Sequence, residues 1–283
     1  MSKLLIALTF FVVACLASEL ARSDTTAEIV SSSDLRFQPL NPARGDASPR
    51  AGVLWGDIRE NVSSGAIIEF ADGFSSPPHI HNVTYRGIVI SGAVHNDDPN
   101  ADVLWMGPGS FWTQPAGESH ITAAAVGSKA TIFLEILEGP YLVQPAGAAF
   151  DNGERPLNLE SSNLVWLGPS DVTWIEHSGM SEDAEGPKMA FLWGAPQDHQ
   201  RNGTLLRLPA GFDGELRGNG AWLRAVVVRG PALHRLGGES SSTDLQTGSY
   251  FGANGEAVHN IVCEARDACL IYVSAEGKYS LAQ

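Results

Sequence analysis

The sequence predicts an all-β protein made of two similarly shaped antiparallel domains, each a sandwich or a small barrel. Three observations predict it. The chain has 283 residues with 30 Gly and 16 Pro but only 18 Lys and Arg, a composition of many turns between short strands rather than long helices. Its apolar segments are short, alternate with a period of two, and are parted by clusters of Gly, Pro, Asn and Asp. The second half of the chain then repeats the first.

Taken in order, the N-terminus comes first. "MSKLLIALTFFVVACLAS" places Lys3 before an apolar run from Leu4 to Ala14, followed by small residues. This is the pattern of an export signal within residues 1–23, cleavable for instance after Ala17. "VVAC" also allows a lipoprotein-type cut that leaves Cys15 lipidated. Either cut sends the chain out of the cytoplasm, periplasmic or secreted, and the apolar run is too short to span a bilayer comfortably.

The strands of the first half are expected at "AIIEF", "GIVISGAV", "DVLWMG", "SFWTQ", "HITAAA" and "TIFLEIL". Each is rich in Val, Ile, Leu or aromatics and bounded by turn residues. No amphipathic helix longer than a couple of turns is evident. An N-terminal domain over 28–147, a linker over 148–160 and a C-terminal domain over 161–283 follow from the repeat. "AGVLWGDIRENVSSGAIIEFADGF" at 51–74 lies over "MAFLWGAPQDHQRNGTLLRLPAGF" at 189–212, an offset of 138 residues, and "GSFWTQPAGESH" at 109–120 lies over "GSYFGANGEAVH" at 248–259, an offset of 139. Upstream, "SSDLRF" matches "SSNLVW" at an offset of 129, so the second copy carries extra residues near "EHSGMSEDA".

The formal net charge of −14 disfavours nucleic acid or an anionic membrane surface as a partner. With Cys15 removed or lipidated, Cys263 and Cys269 remain, flanking "EARDA" between two apolar runs. In an exported protein they favour a disulfide closing a hairpin, with two buried free thiols as the alternative.

The candidate site starts at "GFSSPPHIHNVTYRGIVISG", residues 73–92. His79 and His81 are two apart, so in a strand both face the same way. Pro77-Pro78 sets an extended approach to that strand. His120, after a Pro-Ala-Gly turn, can converge from a neighbouring strand. Three neutral imidazoles suit Fe(II), Zn(II), Mn(II), Ni(II) or Cu(II), with Fe(II) and Zn(II) foremost. The bland alternative is polar residues on a solvated strand.

The spacing resembles the two motifs of the cupin superfamily. Gly73, five residues, His79, one, His81, three, Tyr85, six, Gly92 matches the first; Gly109, five, Pro115-Ala116-Gly117, two, His120 matches the second. Because the likeness covers both halves, the chain is similar to bicupins, especially to a bacterial cupin family of unknown function and more loosely to the cupin domain of zinc-binding anti-sigma factors. The resemblance implies two tandem cupin barrels of the double-stranded β-helix, jelly-roll type, a divalent metal at His79, His81 and His120, and a homodimer. Where most cupins have a Glu, this chain has Tyr85. It could ligate as phenolate, hydrogen-bond to water on the metal, or pack in the barrel. The second motif ends in Ala124 where Asn is usual.

Losing the carboxylate leaves the ion's charge uncompensated and favours an anionic, chelating small molecule. Three-histidine cupins include dioxygenases, so the resemblance implies a dioxygenase-like enzyme; a non-catalytic metal or small-molecule binding or sensing protein would use the same ligands. The second copy is expected to be metal-free. At the 138-residue offset His79 becomes Arg217, His81 becomes Asn219 and Tyr85 becomes Leu223, and only His120 keeps its counterpart, His259.

Of the rest, Trp105, Phe111 and Trp112 are expected on strands near the site as core packing, and Trp55 and Trp193 as core. Glu135 reads as an exposed strand residue, or else as a partner of a ligand histidine. His95 is expected in the loop after Gly92, with a further metal ligand as the alternative, and Arg86 pointing outward from the face opposite Tyr85. Ser119 and Ser178 lack a base and carboxylate, so a serine hydrolase is not supported.

Overall fold

The computed structural model describes residues 26–174 and 186–283. The export signal with Cys15, the extra residues of the second copy and Ser178 lie outside the described residues. Apart from four short 3-10 segments, the regular structure described is all strand.

In the first half a seven-stranded antiparallel sheet runs Leu157–Leu159, Phe111–Gln114, Tyr85–Ser91, Ala130–Ile136, Ser64–Phe70, Arg50–Trp55, Gln38–Pro39. Two small pairs close the barrel across from it: His79–His81 with Val143–Pro145, and Val94–Asp97 with Ile121–Ala124. The second half has a six-stranded sheet from Thr26–Val30 to Lys188–Gly194 and a five-stranded sheet from Thr243–Leu245 to Tyr279–Ala282.

The expected period of two is not what the central strands show: the large sheets bury both faces, so Ser64–Phe70 and Ala130–Ile136 are buried along nearly their whole length. In Ala130–Ile136, Ile132, Leu134 and Ile136 fill the first barrel with Ile68, Phe70 and Trp112. Phe133 points the other way, into a cluster shared by the two halves that includes Trp55, Ile67 and Ile88 from one and Leu205, Val226 and Tyr250 from the other. The second barrel has its own interior around Leu206, Phe212, Leu223, Phe251 and Ile271. One glycine shows how tightly the first sheet is built. A Cβ on Gly87 would stand 2.1 Å from the Trp112 ring, so the indole lies flat on bare backbone across the strand pair.

The halves also exchange strands. Thr26–Val30, ahead of the first copy, pairs with Tyr250–Asn254 of the second, with Ile29 opposite Phe251. Leu157–Leu159, ahead of the second copy and inside the 148–160 segment, pairs with Phe111–Gln114 of the first, with Asn158 opposite Trp112.

Several expectations need correcting. "DVLWMG" is not a strand: Met106 makes one bridge to Val94, while Val103, Leu104 and Trp105 are exposed. Trp105 is therefore not core. His95 lies on a strand rather than in a loop, buried opposite Ala123. Glu135 is fully buried and faces the second half, where the Tyr272 hydroxyl donates to it at 2.7 Å. Arg86 does leave the face opposite Tyr85, but its guanidinium lies over Trp193 of the second half, 3.9 Å from the ring centroid, instead of in water. Both departures have one cause: the outer face of the first sheet is covered by the second barrel. Cys263 and Cys269 form a disulfide. It does not close a hairpin, because Ala257–Cys263 and Ala268–Glu276 belong to different sheets; it ties the two sheets of the second barrel together.

Candidate metal centre

His79 and His120 face each other across an antiparallel bridge in which each N–H donates to the other's carbonyl at 3.0 Å. His81, two residues on, projects to the same side. The three rings converge, with centroids 4.3 to 5.3 Å apart, and one nitrogen from each lies within 4.8 Å of the others. Ligands about 2.1 Å from one ion stand at most about 4.2 Å apart, so a small closure of the rings completes a three-imidazole set.

The outer nitrogens are all tied down. Nδ1 of His79 donates to the Pro77 carbonyl at 2.9 Å, Nδ1 of His81 to Leu142 at 3.0 Å and Nδ1 of His120 to Glu118 at 3.1 Å. A carbonyl can only accept, so each Nδ1 carries the proton and each Nε2 keeps its lone pair facing inward. Burial holds all three imidazoles neutral. It is the largest influence on His79, which is lowered, on His81, which is lowered well below the usual histidine range, and on His120, which is lowered to about 3. This donor set fits a divalent transition metal, and among the described residues no carboxylate joins it.

Two tyrosines complete the surroundings. Tyr85 is buried; its hydroxyl donates to Asn96 Oδ1 at 2.8 Å and stands 3.3 Å from Nε2 of His120. Asn96 Oδ1 also accepts from Thr122 at 2.7 Å, and Asn96 Nδ2 donates to Gln114 at 2.9 Å. Burial pushes Tyr85 up to about 12, so the phenol stays protonated. Tyr141, which the motif spacing does not mark, stacks on His81 with centroids 4.0 Å apart, and its hydroxyl lies 3.0 Å from Nε2 of His81. Burial, then the charge of Tyr85, raises it well above the usual phenol range. The recurrence of "EGPY" at 138–141 as "EGKY" at 276–279 could have found it, although Tyr279 packs in a barrel without the three histidines. Trp112 lines the cavity beside the site while Phe111 turns to the shared cluster. His95 and Glu135 are outside the triad.

The second barrel lacks the set. Register places Leu216, not Arg217, opposite His259, because the Pro-Pro approach of the first copy is one residue longer. Arg217 instead pairs with Glu215 at the surface, and Leu223 fills the barrel. His259 is buried against His234, with Nε2 of His234 and Nδ1 of His259 2.9 Å apart.

A family model described as a domain of unknown function, DUF4437, matches residues 28–282. The chain belongs to the DUF4437 family. No curated protein matches it. Solved structures similar to it include a proposed dioxygenase from Nostoc punctiforme, with 15% identity, 88% of this chain and 82% of the other covered, and a TM-score of 0.63. Salicylate 1,2-dioxygenase from Pseudaminobacter salicylatoxidans has 15% identity over 92% of this chain and 86% of its own, with a TM-score of 0.59. The 7S globulin of Momordica charantia has 10% identity over 89% and 85%, with a TM-score of 0.58. At these identities the likeness is one of fold, and that fold is the bicupin: this DUF4437 protein is two tandem cupin barrels with a three-histidine cluster in the first.

Proposed function

We propose that this DUF4437 protein is an exported metalloprotein that holds one divalent ion, Fe(II) or Zn(II) foremost, at His79, His81 and His120, and that acts as an oxygen-dependent, dioxygenase-like enzyme on a small chelating molecule. Convergence of three neutral, pre-oriented Nε2 atoms, one face of the set left open to a cavity, carries the reading. The ion would supply Lewis acidity and, if iron, a redox couple. The chain supplies the rest. The three Nδ1–H bonds to carbonyls fix the ring orientation. Tyr85 and Tyr141 keep their protons and can donate to an anion beside the histidines. Neither is a base at neutral pH, and among the described residues no Asp or Glu lines the cavity. This favours chemistry that needs no general base over hydrolysis. Two of the structures with the same fold are described as dioxygenases, one of them only as proposed, which supports the direction without naming a substrate.

The lack of a base also keeps the second reading alive: a non-catalytic binding or sensing protein using the same ligands. Export rests on the N-terminal pattern; among the described residues no helix is long and apolar enough to cross a membrane. Purified protein loaded with Fe(II) is tested for oxygen uptake with β-dicarbonyl and thiol panels. Uptake supports the enzyme; stoichiometric metal without uptake supports the binding protein; no stoichiometric metal defeats both.

A further inference from the structure

His79 and His81 line a cavity of about 640 Å³, a size that accepts a small organic molecule. Its walls are mostly hydrocarbon, with Ile68, Phe70, Ile132 and Leu134 projecting from the barrel strands. Among the residues that line it, Arg44 alone carries a formal charge. The chain has a net charge of −14, yet among the described residues no carboxylate lines that wall.

Arg44 is held where it is by local chemistry. It belongs to the 3-10 segment Pro42–Ala47, whose start is capped by Asn41 Oδ1 accepting from the Ala43 N–H at 3.1 Å. The Asn41 N–H in turn donates to the hydroxyl of buried Ser48 at 2.9 Å, tying the two ends of the segment together. The guanidinium lies over the ring of Phe74, another lining residue, 5.2 Å from its centroid, while Arg44 as a whole stays exposed to solvent. Among the described residues no carboxylate lies within 4.0 Å of it, the six ion pairs being made by other residues. A planar fork of donors, uncompensated and beside an apolar cavity, is suited to a carboxylate.

We infer that the cavity takes an amphipathic organic carboxylate, its carboxylate on Arg44, its hydrocarbon body along Ile68, Ile132 and Leu134, and a second oxygen donor toward the three histidines. The last of these contacts rests on the metal reading above; the first two do not. Arg44 is then the residue that sets specificity for an anion, and no acidic side chain of the cavity opposes it.

The test is calorimetric titration of the full mature chain with octanoate and with octanamide, which has the same body without the charge, alongside metal analysis of every variant. Four proteins are compared: wild type, Arg44→Gln, His120→Ala, and Arg44→Gln on the His120→Ala background. Octanoate is expected to bind wild type at least about tenfold more tightly than octanamide, the scale of a charge-assisted bidentate contact. Arg44→Gln is expected to weaken octanoate about tenfold on both backgrounds, leaving octanamide and metal content unchanged. Equal binding of the two probes by wild type, or octanoate binding untouched by Arg44→Gln, overturns the inference. Unchanged metal in His120→Ala would instead overturn the ligand assignment and leave the Arg44 result standing.

Discussion

The Tyr141 hydroxyl stands 3.0 Å from Nε2 of His81, the atom that would ligate a metal, and its ring lies nearly parallel to the imidazole at 16°. Because Nδ1 of His81 already donates to Leu142, Nε2 is the acceptor and the phenol is the donor. A metal must therefore displace this hydrogen bond. Such a bond is worth about 1 kcal/mol net, so Tyr141→Phe is expected to hold zinc as tightly as wild type or up to about fivefold more tightly. Competition against a chromophoric chelator measures it, and a variant that loses zinc would show that Tyr141 helps hold the ion.

His120→Ala removes one of three ligands and is expected to lower metal affinity by more than the about 10- to 100-fold typical of losing an outer hydrogen-bond partner. His259→Ala, the same change in the other barrel, is expected to leave metal content as it was. Elemental analysis of both after identical dialysis gives the answer, and equal losses would contradict a single centre.

Tyr85→Phe deletes the hydroxyl that donates to Asn96 while Thr122 still satisfies the same oxygen. The expected cost is about 1 kcal/mol of unfolding free energy, with metal retained. Chemical denaturation with parallel metal analysis separates this from a ligand role, in which metal is lost first.

The buried pair in the second barrel makes the fold sensitive to acid. Burial lowers His234 to about 4 and His259 to about 3, whereas unfolded histidine titrates near 6.5. Between those values the unfolded chain binds more protons than the folded one, so stability is fully present above about 6.5 and declines as pH falls toward 4. Melting temperature should fall over that window, and it should fall less in a His234→Leu, His259→Phe double variant. An identical pH slope in both proteins would rule the pair out.

Tyr272→Phe takes away the hydroxyl that donates to Oε2 of buried Glu135 across the two halves. Leaving that buried oxygen without its donor costs about 1–3 kcal/mol, and the loss should appear as a destabilisation of that order in denaturant. A change within about 0.5 kcal/mol would mean the contact is energetically idle.

The two-barrel fold was legible because short apolar segments and turns are local signals and because the repeat is long. The triad was legible for a related reason: residues two apart share a strand face, and the Pro-Ala-Gly turn returns His120 to the same place. What the sequence hid was contact between the halves. Glu135 and Arg86 alternate outward as surface residues do, and nothing local tells that a second barrel covers that face. Tyr141 escaped because it comes from the connection between Ala130–Ile136 and Val143–Pro145, outside both motifs, and "DVLWMG" misled because exposed apolar residues need not pair. The one-residue slip that sets Leu216 opposite His259 follows from strand pairing, which an ungapped overlay cannot see.

The reciprocal crossing of Thr26–Val30 and Leu157–Leu159 has an ancestral implication. A lone ancestral lobe lending its leading ribbon to an identical neighbour would assemble with the same geometry as this covalent pair. Duplication and fusion of such a lobe would make the partnership permanent, and one lobe would then be free to lose its imidazoles and serve as a buttress to the other. Severing the chain between the lobes would leave each half with a raw sheet margin, so the two should survive only when co-expressed.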